Sequence, residues 1–150
     1  EFDIVFTSYG TIGWLPDIDK WAKIVSKYLK PGGKFVFAEF HPFIWMYDDD
    51  FDSVAYSYFK DAPIIETNTG TYAEKGADLV QQNITWNHSI GEVVNSLISN
   101  GLEIHVLNEY DYSPYNCLNH MVEISPGNYI IEKFGNKIPM VYAILATKKG

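Results

Sequence analysis

FDIVFTSYGTIGWLPDIDKWAKIVSKYLKPGGKFVFAEFHP, residues 2–42, is the stretch that decides the fold. FDIVF, residues 2–6, is short, apolar and rich in β-branched residues, and it reads as a strand buried on both faces, as in a parallel sheet. A glycine-bearing loop, TSYGTIGWLP, follows it. Asp17 has the chemistry of a helix N-cap, and Asp19 adds negative charge to the first turn. Ile18, Trp21, Ile24, Val25, Tyr28 and Leu29 then recur at helical spacing and predict one apolar face. KPGG, residues 30–33, ends the helix, because Pro31 cannot continue it and the glycines turn the chain. KFVFAEF, residues 34–40, is the next strand. Strand, helix and strand with short joins form a right-handed parallel crossover. His41 and Pro42 lie just past the second strand, at the carboxyl edge where open parallel sheets bind ligands.

Outward from this unit the pattern changes. Residues 47–87 hold an acidic loop, YDDDFD, and two stretches of strand-like composition, SVAYSYF and PIIETNTGTYAEK, with a turn expected near Gly70. They read as an inserted, β-rich, lid-like segment. Ser89 and Glu92 have capping-box spacing and open a second helix, with Val93, Val94, Leu97, Ile98 and Leu102 as its core face and Gly101 at its end. Residues 103–113 are expected to be a third core strand, followed by a polar loop. Residues 140–147 are expected to be a last, strongly apolar strand, with GNK, residues 135–137, turning a hairpin into it.

The 150 residues are enough for one domain. Aromatic residues make up 16% (11 Tyr, 9 Phe, 4 Trp), which calls for a large core or an aromatic-lined pocket. The net charge of −8 repels phosphate backbones and disfavours nucleic-acid partners. Cys117 is the single cysteine, so no internal disulfide forms, and a reducing, cytoplasmic location is the simplest expectation. No apolar run is long enough to span a bilayer as a helix.

Three stretches in order resemble the C-terminal half of the class I S-adenosylmethionine-dependent methyltransferases. Residues 2–42, with FDIV and LKPGG as landmarks, resemble that family's fourth strand, following helix and fifth strand. TWNHSIGEVVNSLISNGLEIHVLNEYD resembles its last helix and sixth strand, and PMVYAILATKK its seventh, antiparallel strand. The resemblance implies a partial Rossmann-like α/β sheet, parallel strands plus a C-terminal antiparallel one, in a single domain spanning residues 1–150. It implies S-adenosyl-L-methionine as cofactor of the complete domain and an unidentified small molecule as methyl acceptor. The family's glycine-rich cofactor loop and ribose-binding acidic residue have no counterpart here, since Gly10 and Gly13 follow the wrong strand. Activity and strong cofactor binding by this chain alone are therefore not expected. In the family's sheet order strand 2–6 would then be an edge, and a bare apolar edge predicts self-association. The alternative is a non-catalytic dimerising or binding module built on the same fold.

By the same resemblance Ser8, Tyr9 and Gly10 are the candidate cofactor contacts, with a plain loop aromatic and a turn glycine as the competing account of Tyr9 and Gly10. Trp14 either packs on cofactor or acceptor, or anchors the loop to the helix. His41, Trp45 and His88 are the candidate substrate-pocket residues. His41 either takes a proton from the acceptor or positions its loop through a backbone hydrogen bond. His88 either faces the site or flanks a helix start. Tyr56, Tyr58, Phe59 and Tyr72 either line the lid or pack as ordinary β residues. Asp48, Asp49, Asp50 and Asp52 lack the alternating frame, glycine and closing Glu of a calcium loop, so no metal is expected.

Overall fold

A computed structural model describes residues 1–69 and 78–150. Strand β1 (Phe2–Thr7) leads through a 3₁₀ turn (Ile12–Trp14) into helix α1 (Ile18–Tyr28), and the chain passes directly into strand β2 (Leu29–Phe40). Strands β3 (Ile64–Thr69) and β4 (Val80–Thr85), helix α2 (Ile90–Ser99), strands β5 (Leu102–Tyr110), β6 (Met121–Ser125), β7 (Asn128–Ile131) and β8 (Val141–Lys148) follow. The main sheet runs β1-β2-β8-β5, with β1 parallel to β2 and β8 antiparallel to both of its neighbours. This is the expected partial Rossmann-like arrangement: a crossover-linked parallel pair extended by an antiparallel last strand.

The local signals act as their chemistry dictates. The Asp17 carboxylate accepts the Lys20 N–H at 2.9 Å, and the Ser89 hydroxyl accepts the Glu92 N–H at 3.1 Å, so each helix starts on its cap. Gly32 and Gly101 adopt φ of +77° and +83°, the left-handed region in which a side chain is strained. Both helices cover one face of the sheet. Trp21, Ala22 and Val25 of α1 and Val93 and Leu97 of α2 pack on Phe35, Phe37, Ile144 and Ala146 in one core. The register places Phe35 opposite Ala146 and Phe37 opposite Ile144, so these residues share the helix-covered face. Ile24 and Tyr28 of α1 and Ile98 of α2 lie outside this core and are half exposed, on the flanks of their apolar stripes.

Strand β1 corrects the expectation of burial on both faces. Among the described residues it pairs only with β2, and Phe2, Ile4 and Phe6 are 58%, 61% and 62% exposed. Ile4 and Phe6 pair with Lys34 and Val36, the row of β2 that faces away from the helices. The expected edge position of this strand is what the topology shows.

Two small antiparallel sheets complete the chain, β3-β4 and β6-β7. SVAYSYF forms no strand; its one sheet-like contact among the described residues is an isolated bridge between Tyr47 and Val54. The expected turn near Gly70, and Tyr72, lie outside the described residues. The polar loop expected after β5 contains β6, and the hairpin is made at Gly127 (φ +75°) rather than at GNK, which forms a 3₁₀ turn (Gly135–Lys137). Strand β8 instead inserts between β2 and β5, where its long apolar run is buried. A second core of Phe40, Ile44, Phe51, Ile131, Met140 and Val141 joins the β6-β7 hairpin to the end of the main sheet. No helix among the described residues is long and apolar enough to cross a membrane.

Candidate functional site

At the carboxyl ends of β1 and β2, the core-facing row Phe35, Phe37 ends in a charged residue. Glu39 is 3% exposed and sits directly opposite Tyr142 of β8. Its carboxylate accepts N–H bonds from Gly10 (2.5 Å), Thr11 (2.8 Å), Ile12 (3.3 Å) and Phe40 (2.8 Å). Three of the four donors belong to the loop after β1, so Glu39 fixes the path of residues 10–12. Burial pushes its carboxyl above the usual range, and the four N–H donors pull the other way. A second bond within the loop, Thr11 Oγ1 to the Ser8 carbonyl at 2.6 Å, tightens the turn. Gly10 takes φ of +73°, and open space lies where its Cβ would stand.

This loop is one wall of a cavity of about 740 Å³. Tyr9 lies against the rings of Phe40 and Tyr115, at centroid distances of 5.4 and 5.7 Å. Trp45 packs edge-on to Phe40 at 5.6 Å. Strand β4 and the residues after it form the opposite wall. Trp86 N–H donates to the Gly13 carbonyl at 2.8 Å, and the Asn87 amide donates to the carbonyls of Ser57 and Trp45. The segment 47–87 is thereby tied to the loops of the main sheet. Tyr56 donates to the Glu66 carboxylate at 2.7 Å, which pushes the phenol up to about 12.

The histidine just past β2 has a defined tautomer. His41 Nδ1 accepts the Phe43 N–H at 3.1 Å, so Nε2 carries the proton and donates it to Glu109 at 2.8 Å. Burial lowers its pKa, opposed by the Glu109 carboxylate. His88 presents one ring nitrogen to the Leu15 carbonyl at 2.8 Å and the other to Glu92 at 3.0 Å. It clamps the start of α2 to the end of the first loop.

The structure brings Tyr9, Gly10, Trp14, Trp45 and His88 together around the cavity. Ser8 and His41 do not line it. Ser8 is exposed and contributes its carbonyl to the turn, and His41 holds its own loop and Glu109. Among the lid aromatics, Tyr56 lines the cavity, Tyr58 hydrogen-bonds the start of α2, and Phe59 is exposed. Of the aspartates, Asp48 caps a turn at Asp52 and Ser53, Asp50 meets His120, Asp52 meets Lys133, and Asp49 lies at the cavity rim. Cys117 also lines the cavity, with its thiol pushed up by burial.

Sequence reasoning missed Glu39, Tyr142, Trp86 and Tyr115. A signal existed for the first two. Strict alternation puts Glu39 on the same face as Phe35 and Phe37, and a carboxylate on a core face needs donors. Tyr142 is fully buried, and its hydroxyl has no hydrogen-bond partner among the described residues.

No protein-family model matches the chain, and no curated protein matches it in sequence. Solved structures do. A protein from Listeria monocytogenes assigned to the S-adenosylmethionine-dependent methyltransferases superposes with a TM-score of 0.62 at 18% identity, covering 99% of this chain and 62% of its own. An S-adenosylmethionine-dependent methyltransferase from Clostridium acetobutylicum gives 0.56 at 15% identity, covering 100% of this chain and 59% of its own. One from Mesorhizobium loti gives 0.54 at 16%, covering 98% and 62%. The chain thus spans about three fifths of the length of these relatives. With the strand order, the crossover and the antiparallel last strand already described, these likenesses give the chain the fold of the class I S-adenosylmethionine-dependent methyltransferases.

Proposed function

We propose that this chain carries the acceptor-facing part of an S-adenosylmethionine-dependent methyltransferase acting on a small molecule. The observation that supports this most is the cavity at the carboxyl ends of β1 and β2, the edge at which open α/β sheets of this kind bind ligands. The residues present fit the sulfonium end of the cofactor. Aromatic faces and carboxylates attract a cation, and they line the cavity with Glu39 at its base. S-Adenosylmethionine, when bound, supplies an electrophilic methyl group.

The chain's own residues then have three tasks. Tyr9, Gly10 and Trp14 form the wall that would hold the methionine end, and Glu39 holds that wall in place through its N–H bonds. Trp45, Trp86 and Tyr115 would flank the acceptor with flat apolar surface. Residues 47–87, tied across by Trp86 and Asn87, would act as a lid that excludes water, so that alignment and desolvation carry much of the rate. His41, already committed to Phe43 and Glu109, is a positioning residue in this scheme rather than the proton acceptor. The single, partly buried Cys117 suits a reducing cytoplasm.

The adenosine grip is not among these residues, so affinity of this chain for the whole cofactor is weak. Titration with S-adenosylhomocysteine, followed by tryptophan fluorescence, is expected to saturate only well above about 10 μM. Trp14→Phe is expected to remove part of the response. Micromolar saturation would overturn the placement of the grip outside this chain. No response at any concentration would overturn the assignment of the cavity.

A further inference from the structure

The cavity's base carries a polar atom that the fold itself does not use. Tyr142 is 0% exposed, lines the cavity, and its hydroxyl has no hydrogen-bond partner among the described residues. Burying a hydroxyl without a partner is unfavourable, so such an atom marks a place where a ligand completes the bonding. The charge around it is one-sided. Glu39 at the base, Glu66 on the wall and Asp49 at the rim all line the cavity, and no lysine does among the described residues. The chain has eleven lysines and no arginine at all. His88 is the one basic side chain in the lining among the described residues, and both of its nitrogens already face partners. The rest of the lining is dominated by aromatic rings, including Trp14, Trp45 and Trp86.

We infer that the cavity takes an amine on a flat apolar body, with the amine nitrogen hydrogen-bonded to the Tyr142 hydroxyl. The inference rests on the methyltransferase assignment for its chemistry but not for the binding itself. An anionic acceptor, or an oxygen that must ionise to attack, meets three carboxylates and no lysine among the described lining residues. An amine enters as the ammonium that the carboxylates attract and releases that proton to solvent; as the free base it keeps a lone pair while one N–H is donated to the Tyr142 hydroxyl oxygen. In transfer that lone pair forms the new N–C bond as the S–C bond breaks. The sulfur keeps the S–C pair and leaves as a neutral thioether, and the resulting ammonium releases its proton to solvent.

Three probes with one skeleton test this on the chain: 2-phenylethylamine, 2-phenylethanol and 3-phenylpropionate, each titrated against tryptophan fluorescence. The amine is expected to bind at least about tenfold more tightly than the carboxylate, with the alcohol between them. Tyr142→Phe is expected to weaken the amine about tenfold. The same substitution removes an unpartnered buried hydroxyl, so its thermal midpoint is expected to rise by about 2–4 °C. Carboxylate binding equal to that of the amine, amine binding untouched by Tyr142→Phe, a lowered midpoint, or no amine response up to about 10 mM would each overturn the inference. A parallel titration with S-adenosylhomocysteine separates the two claims. Amine selectivity without an S-adenosylhomocysteine response leaves the subsite standing and removes the methyltransferase assignment, and the reverse result does the opposite.

Discussion

Glu39 shows how one side chain sets the shape of the site. A buried carboxylate accepting four N–H bonds replaces four hydrogen bonds to water, and an amide offers one acceptor oxygen in their place. Glu39→Gln is expected to cost about 2–4 kcal/mol and to speed hydrogen exchange at Gly10, Thr11 and Ile12 in particular. Unchanged exchange at those amides would mean the carboxylate does not hold the loop. His41 gives a pH-dependent counterpart. Its folded-state pKa lies below the ordinary value of 6.5, because desolvation outweighs the attraction of Glu109. The unfolded chain therefore binds the proton first. The contribution is present in full above pH 6.5 and is lost as pH falls through the folded-state value, with a slope of at most about 1.4 kcal/mol per pH unit. His41→Gln is expected to flatten unfolding curves across that window, and an unchanged slope would show that another group titrates there. At this scale the sequence revealed the residue types but not their partners. Alternation placed Glu39 on the core face, yet three of its four donors stand almost thirty residues away in a loop whose path no local pattern encodes.

Elements were more legible, because caps and turns are short-range. Asp17 and Ser89 bond the N–H groups three residues on, and that geometry follows from spacing alone. What failed were the irregular parts. SVAYSYF has strand composition but no strand partner, and β6 hides in a polar stretch because its residues are mostly exposed. Gly33 makes the link between helix and sheet testable. A Cβ there would stand 2.9 Å from the Lys30 carbonyl oxygen and 3.1 Å from that of Phe2. Both are backbone atoms where β1 meets the start of β2, so neither yields cheaply. Gly33→Ala is expected to destabilise by about 1–3 kcal/mol in urea unfolding. The neighbouring Gly32→Ala, strained at φ of +77° but in open space, is expected to cost about 1 kcal/mol through backbone strain alone. If the two variants are equally stable, crowding at the β1-β2 junction is not what the second glycine relieves.

At the scale of the whole molecule the sheet has one finished face and one open one. The helices cover Phe35, Phe37, Ile144 and Ala146, while Phe2, Ile4, Phe6 and Val106 remain exposed on the other side or at the edge. The order of the strands was legible from the ordered motifs; the exposure of β1 was legible only from its place in that order, since FDIVF by itself has the composition of a buried strand. Each alternate side chain of β1 presents more than half of its apolar surface to water, and the far side of its backbone pairs with no strand among the described residues. An apolar strand with a free edge pairs with another when one is available, and a second copy offers the same edge, so that the two strands can join about a two-fold axis. The chain on its own is therefore expected to dimerise, its weight-average mass in sedimentation equilibrium rising with concentration. Phe6→Lys places a charge on the exposed face of β1 without touching the helix-covered core, and is expected to shift the equilibrium toward monomer by tenfold or more, about 1.4 kcal/mol or above. Ile98→Lys, at a half-exposed residue on α2, serves as the control and should leave the mass unchanged. A monomer at every concentration would remove the edge-pairing claim. A dimer that survives Phe6→Lys and breaks with Ile98→Lys would move the interface to the helices.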